Sequence, residues 1–154
     1  MKIIDKFNIE KAKSKAFGNH KIGNIPFISN GFDNNGFVGF VKPLQSERIF
    51  NQDGICISAF CEATVQKAPF LPRGNGGSGL TVLIPKEKMN QEQLHVYAGL
   101  INTQRWRFSF GRMVISDRLS ELDLPNIPRE FENNTVKKIV NKILNSAMKQ
   151  ITKI

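Results

Sequence analysis

The sequence is short of the residues that most often carry chemistry. It holds two cysteines, two histidines, one tryptophan and one tyrosine in 154 residues. Cys56 and Cys61 have no second Cys or His pair near them, so a zinc site lacks ligands and a disulfide framework lacks members. Both read as ordinary reduced thiols. No serine sits in a G-x-S-x-G elbow. The glycine-rich stretch Arg73 to Gly79 lacks G-x-x-x-x-G-K-[ST] spacing and runs into an apolar, strand-like segment, which makes it a connector and not a nucleotide cradle. No apolar run approaches the ~20 residues that span a bilayer. The opening MKIIDKFNIEKAKSK has no uninterrupted apolar segment of the secretory kind, so the expected compartment is the cytoplasm.

Acidic residues are scarce too: 13 Asp and Glu face 22 Lys and Arg, a net charge of +9. Such a balance fits a polyanionic partner. The excess lies at the two ends. Residues 1–30 hold six lysines against Asp5 and Glu10, residues 133–154 hold five lysines and no acid, and the middle is neutral. A length of 154 residues suits one domain able to bury roughly two thirds of its unfolded surface without a metal or disulfide staple.

The most informative stretch is Gly23 to Val41. Ile25, Phe27 and Ile28 give one apolar run, Asn34-Asn35-Gly36 a tight reversal, and Phe37, Val38, Phe40 and Val41 a second run. Asn and Gly accept the positive φ that reversals demand, so the spacing predicts a β-hairpin or β-loop-β unit. Before it, residues 2–22 read as weak helix or loop, with Ile9, Ala12 and Ala16 at helical spacing and His20 in a polar, exposed loop where it could meet a phosphate. Pro43 ends the second strand, and a polar turn follows. Ile55 to Phe60 has the β-branched content of a buried strand, Thr64 to Lys67 of another, and the two prolines in Ala68 to Pro72 impose an extended path.

Leu80 to Ile84 predicts a further strand, stopped by Pro85. Asn90-x-x-Gln93 has capping-box form and opens a helix to about Thr103, with Leu94, Tyr97, Leu100 and Ile101 on its buried face. In Arg105-Trp106-Arg107-Phe108-Ser109-Phe110-Gly111-Arg112 the phenylalanines alternate as in a strand, and three arginines crowd eight positions. The arginine fork suits phosphates and guanine edges; an edge strand with solvated arginines is the plainer alternative. From Asn133 or Asn134 the chain reads as helix to its end. Val136, Ile139, Val140, Ile143, Leu144, Ala147, Met148, Ile151 and Ile154 form a stripe spaced three and four apart, with lysines opposite. Such a stripe needs the domain's body, another helix as in a coiled coil, or a membrane surface to cover it.

Three segments in order, IPFIS with NNGFVGFV, then RFSFGR, then LSELDLP before the terminal helix, resemble the target recognition domains of DNA specificity subunits of type I restriction-modification systems and related fused enzymes. The resemblance covers roughly residues 20–154 and implies a non-catalytic module that binds a short double-stranded DNA sequence. It also implies a following helix that pairs in an antiparallel coiled coil, a methyltransferase subunit as partner, and a restriction subunit beside it. Those subunits carry two recognition domains; this sequence has one and no internal repeat. It therefore reads as a half-subunit that dimerises, or as a fragment of a larger enzyme.

The resulting expectation is an α+β fold, mainly an antiparallel sheet with one or two packed helices, comprising a recognition domain over 1–128 and an amphipathic pairing helix over 129–154. Lys21 and Lys42 are expected on phosphates. Arg73, Asn75, Arg105, Arg107, Ser109 and Arg112 are expected on the reading surface, and Val136, Ile139, Val140, Ile143, Ala147, Ile151 and Ile154 in the helix seam. No cofactor or metal is expected. A methyltransferase's Asn/Asp-Pro-Pro-Tyr/Phe segment and a nuclease's Pro-Asp with Asp/Glu-x-Lys are both missing, since Glu87 begins Glu-Lys and Pro85 is not followed by Asp. Two other readings stay open: a protein-interaction module docking through its terminal helix, and an enzyme whose site is scattered through loops.

Overall fold

A computed structural model describes residues 1–74, 79–108, 111–114, 116–125 and 135–152. The fold is α+β, with two small sheets, a few helices and a C-terminal helix. The chain divides into two compact units, Met1–Leu124 and Pro125–Ile154.

Four strands, β1 (Phe7–Lys11), β4 (Gly54–Ile57), β5 (Ala63–Gln66) and β7 (Thr81–Pro85), form an antiparallel sheet in the order β1-β7-β4-β5. Every residue of β4 and β5 is buried: β4 is continuously apolar, and in β5 the buried Gln66 amide donates to the Thr64 hydroxyl and to the Asn35 carbonyl. A second sheet, in the order β3-β2-β6, holds the hairpin strands β2 (Lys21–Ile28) and β3 (Phe37–Lys42), with Leu71–Pro72 as β6 running parallel to β2. The predicted hairpin is present. Asn34 and Asn35 take left-handed backbone angles (φ 51° and 54°) and Gly36 follows at φ 77°, which short polar side chains and glycine tolerate best.

The sheets share a core. Ile28 from β2, Cys56 from β4, Val82 from β7 and the loop residues Ala12, Phe50, Phe70 and Leu80 form one buried cluster. Phe50 and Phe70 stack with ring centroids 5.5 Å apart and pair through their backbones. Full burial of one such side chain stabilises by roughly 1.5–3 kcal/mol. Helix α2 (Gln91–Asn102) opens on the expected capping box: the Asn90 side chain accepts from the Gln93 N–H and Gln93 reaches back to the Asn90 N–H. Leu94, Tyr97 and Ile101 are buried as predicted, but Ala98 completes the face while Leu100 is half exposed. Tyr97 meets Phe7 edge-on at 5.1 Å, and the Asn102 amide closes two hydrogen bonds with the backbone of Ala63.

Three expectations are corrected. Residues 2–22 are neither one weak helix nor loop. A short helix, α1 (Ile3–Lys6), leads into β1, which pairs with β7 from Phe7 opposite Pro85 to Lys11 opposite Thr81. Phe7 of β1 is fully buried and Ile9 partly, the inward positions of a period of two that runs for only two apolar residues and so is too short to stand out against a helical spacing. The strand foreseen over Ile55–Phe60 ends at Ile57. Ser58 turns the chain: its N–H donates to the Glu62 carbonyl, its hydroxyl accepts from the Glu62 N–H, and Phe60 is left exposed. Residues 105–108 are a 3-10 helix and not a strand. The N–H groups of Thr103, Gln104 and Arg107 donate to Gly99, Ile101 and Gln104, so the chain tightens beyond α2 while Phe108 turns inward.

Leu119, Leu122 and Leu124 of the LSELDLP segment are buried, the first of them within α3 (Ser116–Ser120). Helix α4 runs from Thr135 to Ile151 with Ile139, Ile143, Leu144, Met148 and Ile151 exposed. Ile154, and the side chains of Val136 and Val140, lie outside what the structure describes. Among the described residues, no helix is long and apolar enough to cross a membrane.

Candidate nucleic-acid interface

At its open end the hairpin sets Lys21 directly opposite Lys42. Both are exposed, and neither has an ion pair among the described residues. Like charges facing each other across an antiparallel pair are destabilising, so an anion between them relieves the strand pairing. The register slips beside them: Ile22 and Ile25 both face Val41. Gly23 sits in this bulge so close to the Val41 and Lys42 backbone that any Cβ would collide with it. The bulge throws Ile22 outward, 93% exposed, next to Lys21.

The same end is held by a pair that the linear order of residues hides. The His20 Nε2 lies 2.8 and 2.9 Å from the two carboxylate oxygens of Glu47, with side chains 0% and 2% exposed. His20 Nδ1 faces the carbonyl oxygens of Ala16 and Phe17 at 3.1 and 3.2 Å; carbonyls only accept, so Nδ1 carries a hydrogen. Glu47 also accepts from the N–H groups of Lys15 (2.8 Å) and Leu44 (2.9 Å). Burial by itself would push the Glu47 carboxyl up. The two backbone donors and His20 outweigh it and hold the group below the usual carboxylate range. This corrects the exposed His20. The chain before β2 and the turn after β3 clasp each other here, one residue from Lys21 and two from Lys42.

Between the Lys21–Lys42 and Ile28–Phe37 pairs β3 advances five residues, so at roughly 3.3 Å per residue the loop end lies about 17 Å away, the extra residues of β2 being taken up in the bulge. There the Asn35 amide donates to the Val65 carbonyl (2.9 Å), and the Gln66 amide donates to the Asn35 carbonyl (2.8 Å). Arg105 lies at this end, bonded to Glu62 (3.2 Å) with its guanidinium 4.9 Å over the Phe32 ring. Arg107 lies over Trp106 at 5.2 Å. Arg105 and Arg107 are therefore together, and Lys21 and Lys42 together, but the two groups occupy opposite ends of the hairpin. Arg73 meets the loop end of β2 through its backbone and is half buried. Its N–H donates to Ile28 and its carbonyl accepts from Leu80, which ties β6 to the residue before β7. Arg112 is exposed. Asn75 and Ser109 lie outside the described residues. Among the described residues no group of three or more His, Cys, Asp or Glu could hold a metal ion.

The chain superimposes over 99% of its length on the S subunit of a type I restriction-modification system from M. genitalium, with a TM-score of 0.62 and 15% identity. It superimposes over its whole length on the HsdS subunit from Thermoanaerobacter tengcongensis, with a TM-score of 0.67 and 14% identity. The fold is that of a type I S subunit. At these identities the likeness is one of fold, and the chain spans about two fifths of either S subunit, 41% and 39%. No protein-family model and no curated protein matches the sequence. The S-subunit fold agrees with the three-segment resemblance carried by the sequence. Two features have no counterpart in that resemblance: the His20–Glu47 clasp, whose members are 27 positions apart, and the exposed aromatic surface around Trp106.

Proposed function

We propose that the chain is a sequence-specific, non-catalytic DNA recognition module of a type I restriction-modification system, serving as one half of a specificity subunit. The observation that carries this reading is the superposition of the entire chain on S subunits. The net charge of +9 and the opposed lysines support it. In this reading Lys21 and Lys42 hold a phosphate between them, and Arg73, Asn75, Ser109 and Arg112 reach base edges. A methyltransferase subunit, with a restriction subunit where one exists, supplies the chemistry.

The exposed stripe of α4, with Ile143 at 63%, pairs with the same helix of a second copy or of a companion half-subunit. Residues 129–154 form the pairing element and residues 1–128 the recognition domain. Replacing Ile143 with Lys should give monomers in analytical ultracentrifugation; an unchanged dimer removes the seam.

The direct test is binding to a randomised duplex pool across a salt series, followed by sequencing of the bound fraction. Enrichment of one short motif, doubled when the chain dimerises, is the expected result. Binding that is tight only at low salt and selects nothing would reduce the surface to a general polyanion site.

A further inference from the structure

The open end of the hairpin carries an apolar side chain where folding alone would not leave one. Ile22 is 93% exposed, more than any other large apolar side chain among the described residues, although it lies inside strand β2 and not in a loop. The cause is local. Ile22 and Ile25 both face Val41, which leaves Gly23 and Asn24 as the extra residues of a bulge. A Cβ at Gly23 would come within 2.4 Å of the Val41 carbonyl and the Lys42 nitrogen, so only glycine lets the two strands close there. Bulges re-aim side chains, and the one this bulge turns into water is Ile22.

The surroundings of Ile22 are cationic and polar. Lys21 precedes it, Lys42 lies opposite Lys21, and Asn24 is exposed on the far side of Gly23. Over residues 15–28 and 37–47 the sole carboxylate is Glu47, 2% exposed and turned to His20 and two backbone N–H groups. These segments therefore offer a polyanion no exposed carboxylate. On a duplex whose bases stay stacked, the apolar group open to such a side chain is the C5 methyl of thymine, at the rim of the major groove beside the sugar–phosphate chain. A wedge driven between base pairs is the other use of an apolar side chain on DNA, and it has to hold an unstacked step open. At its exposure Ile22 has almost no protein behind it to do so.

We infer that Ile22 is a specificity-determining residue that packs on the C5 methyl of a thymine, next to the phosphate held by Lys21 and Lys42; this rests on the DNA reading above. The lysines supply affinity that ignores sequence, and Ile22 adds a preference for thymine at one position. The clasp at His20, two residues away, fixes the backbone that carries it.

The test starts from the motif selected from the randomised duplex pool. Each thymine of that motif is replaced in turn by deoxyuridine, which removes the methyl and keeps every hydrogen-bonding group, and affinity for the full chain is read by fluorescence anisotropy. One position should lose about fourfold, the worth of one buried methyl. Ile22→Ala should bind the thymine duplex more weakly and no longer distinguish thymine from uracil at that position. It should keep the salt slope of the parent, since no phosphate contact is removed, and the far-ultraviolet dichroism of the parent. Tolerance of uracil at every position, or a motif without thymine, overturns the inference and leaves the DNA reading standing. An Ile22→Ala variant that still distinguishes thymine from uracil overturns it too and gives the methyl to another side chain. DNA bent by the parent but not by Ile22→Ala, with uracil tolerated, replaces the methyl contact with a wedge. A pool that yields no motif removes the DNA reading and the inference with it.

Discussion

Replacing Glu47 with Ala removes the acceptor for the N–H groups of Lys15 and Leu44 and the carboxylate that faces His20 Nε2 at 2.8 and 2.9 Å. His20 has no exposed side-chain surface through which water could replace the missing partner. Removing one member of a buried pair costs about 3–5 kcal/mol. The lower figure is the better guide here, since the Lys15 end of the network is exposed. With a urea dependence of about 2 kcal/mol per molar, the unfolding midpoint should fall by about 1.5 M at unchanged slope. The Glu47 carboxyl is held below its ordinary value of 4.5, so its contribution is complete above that pH and disappears as pH falls through the folded value. The midpoints of the parent and Glu47→Gln should therefore converge below about pH 4.5. A midpoint shift smaller than about 0.5 M at pH 7, which is under about 1 kcal/mol, would show that the clasp contributes no more than a surface pair.

Charge reversal of Lys21 and Lys42 together should weaken DNA binding and flatten its salt dependence by about 0.9 in the logarithmic slope for each phosphate no longer neutralised. Fluorescence anisotropy across a salt series measures it, and an unchanged slope excludes the pair from the interface. Asn35→Ala should destabilise by about 1–3 kcal/mol in urea, because it removes the bond to Val65 and places a Cβ-bearing residue without local hydrogen bonding at φ 54°. Asn34→Gly should be tolerated. Burial pushes the Cys56 thiol up, and pushes the Cys61 thiol to about 11 with Arg105 pulling partly the other way. Both should be silent to a thiol-reactive chromophore at about pH 8 in the folded chain and react fully in denaturant; prompt reaction of either would contradict the buried placement.

What is legible in the sequence is whatever is encoded locally. The Asn34-Asn35-Gly36 reversal and the Asn90–Gln93 capping box each need only three or four consecutive residues, and both are present as expected. β1 is hidden because its alternation, Phe7 and Ile9 against Asn8 and Glu10, offers only two apolar positions, while Ile9, Ala12 and Ala16 also fit a helical spacing. The Arg105–Phe108 turn reads as a strand because one Phe-Ser-Phe alternation is too short to separate the two periods. His20 and Glu47 carry no mutual signal. Only the folded chain brings the turn after β3 back to the residue before β2, and a polar pair buried that way looks in sequence like two solvated residues. Basic residues of one sign invite a single surface when read as a string. The fold separates Arg105 and Arg107 from Lys21 and Lys42 by a strand's length, which turns one expected surface into two.

The hairpin is tied down at three places: the His20–Glu47 clasp at its open end, the parallel pairing with Leu71 and Pro72, and the Asn35 bonds to Val65 and Gln66 at its tip. A ribbon pinned only at its root behaves as a lever, but one pinned at both extremities behaves as a strut. The lysines at one end and the Arg105–Trp106 cluster at the other thus stand on one strut, and ligands landing on both would sit at a separation set by the length of the hairpin.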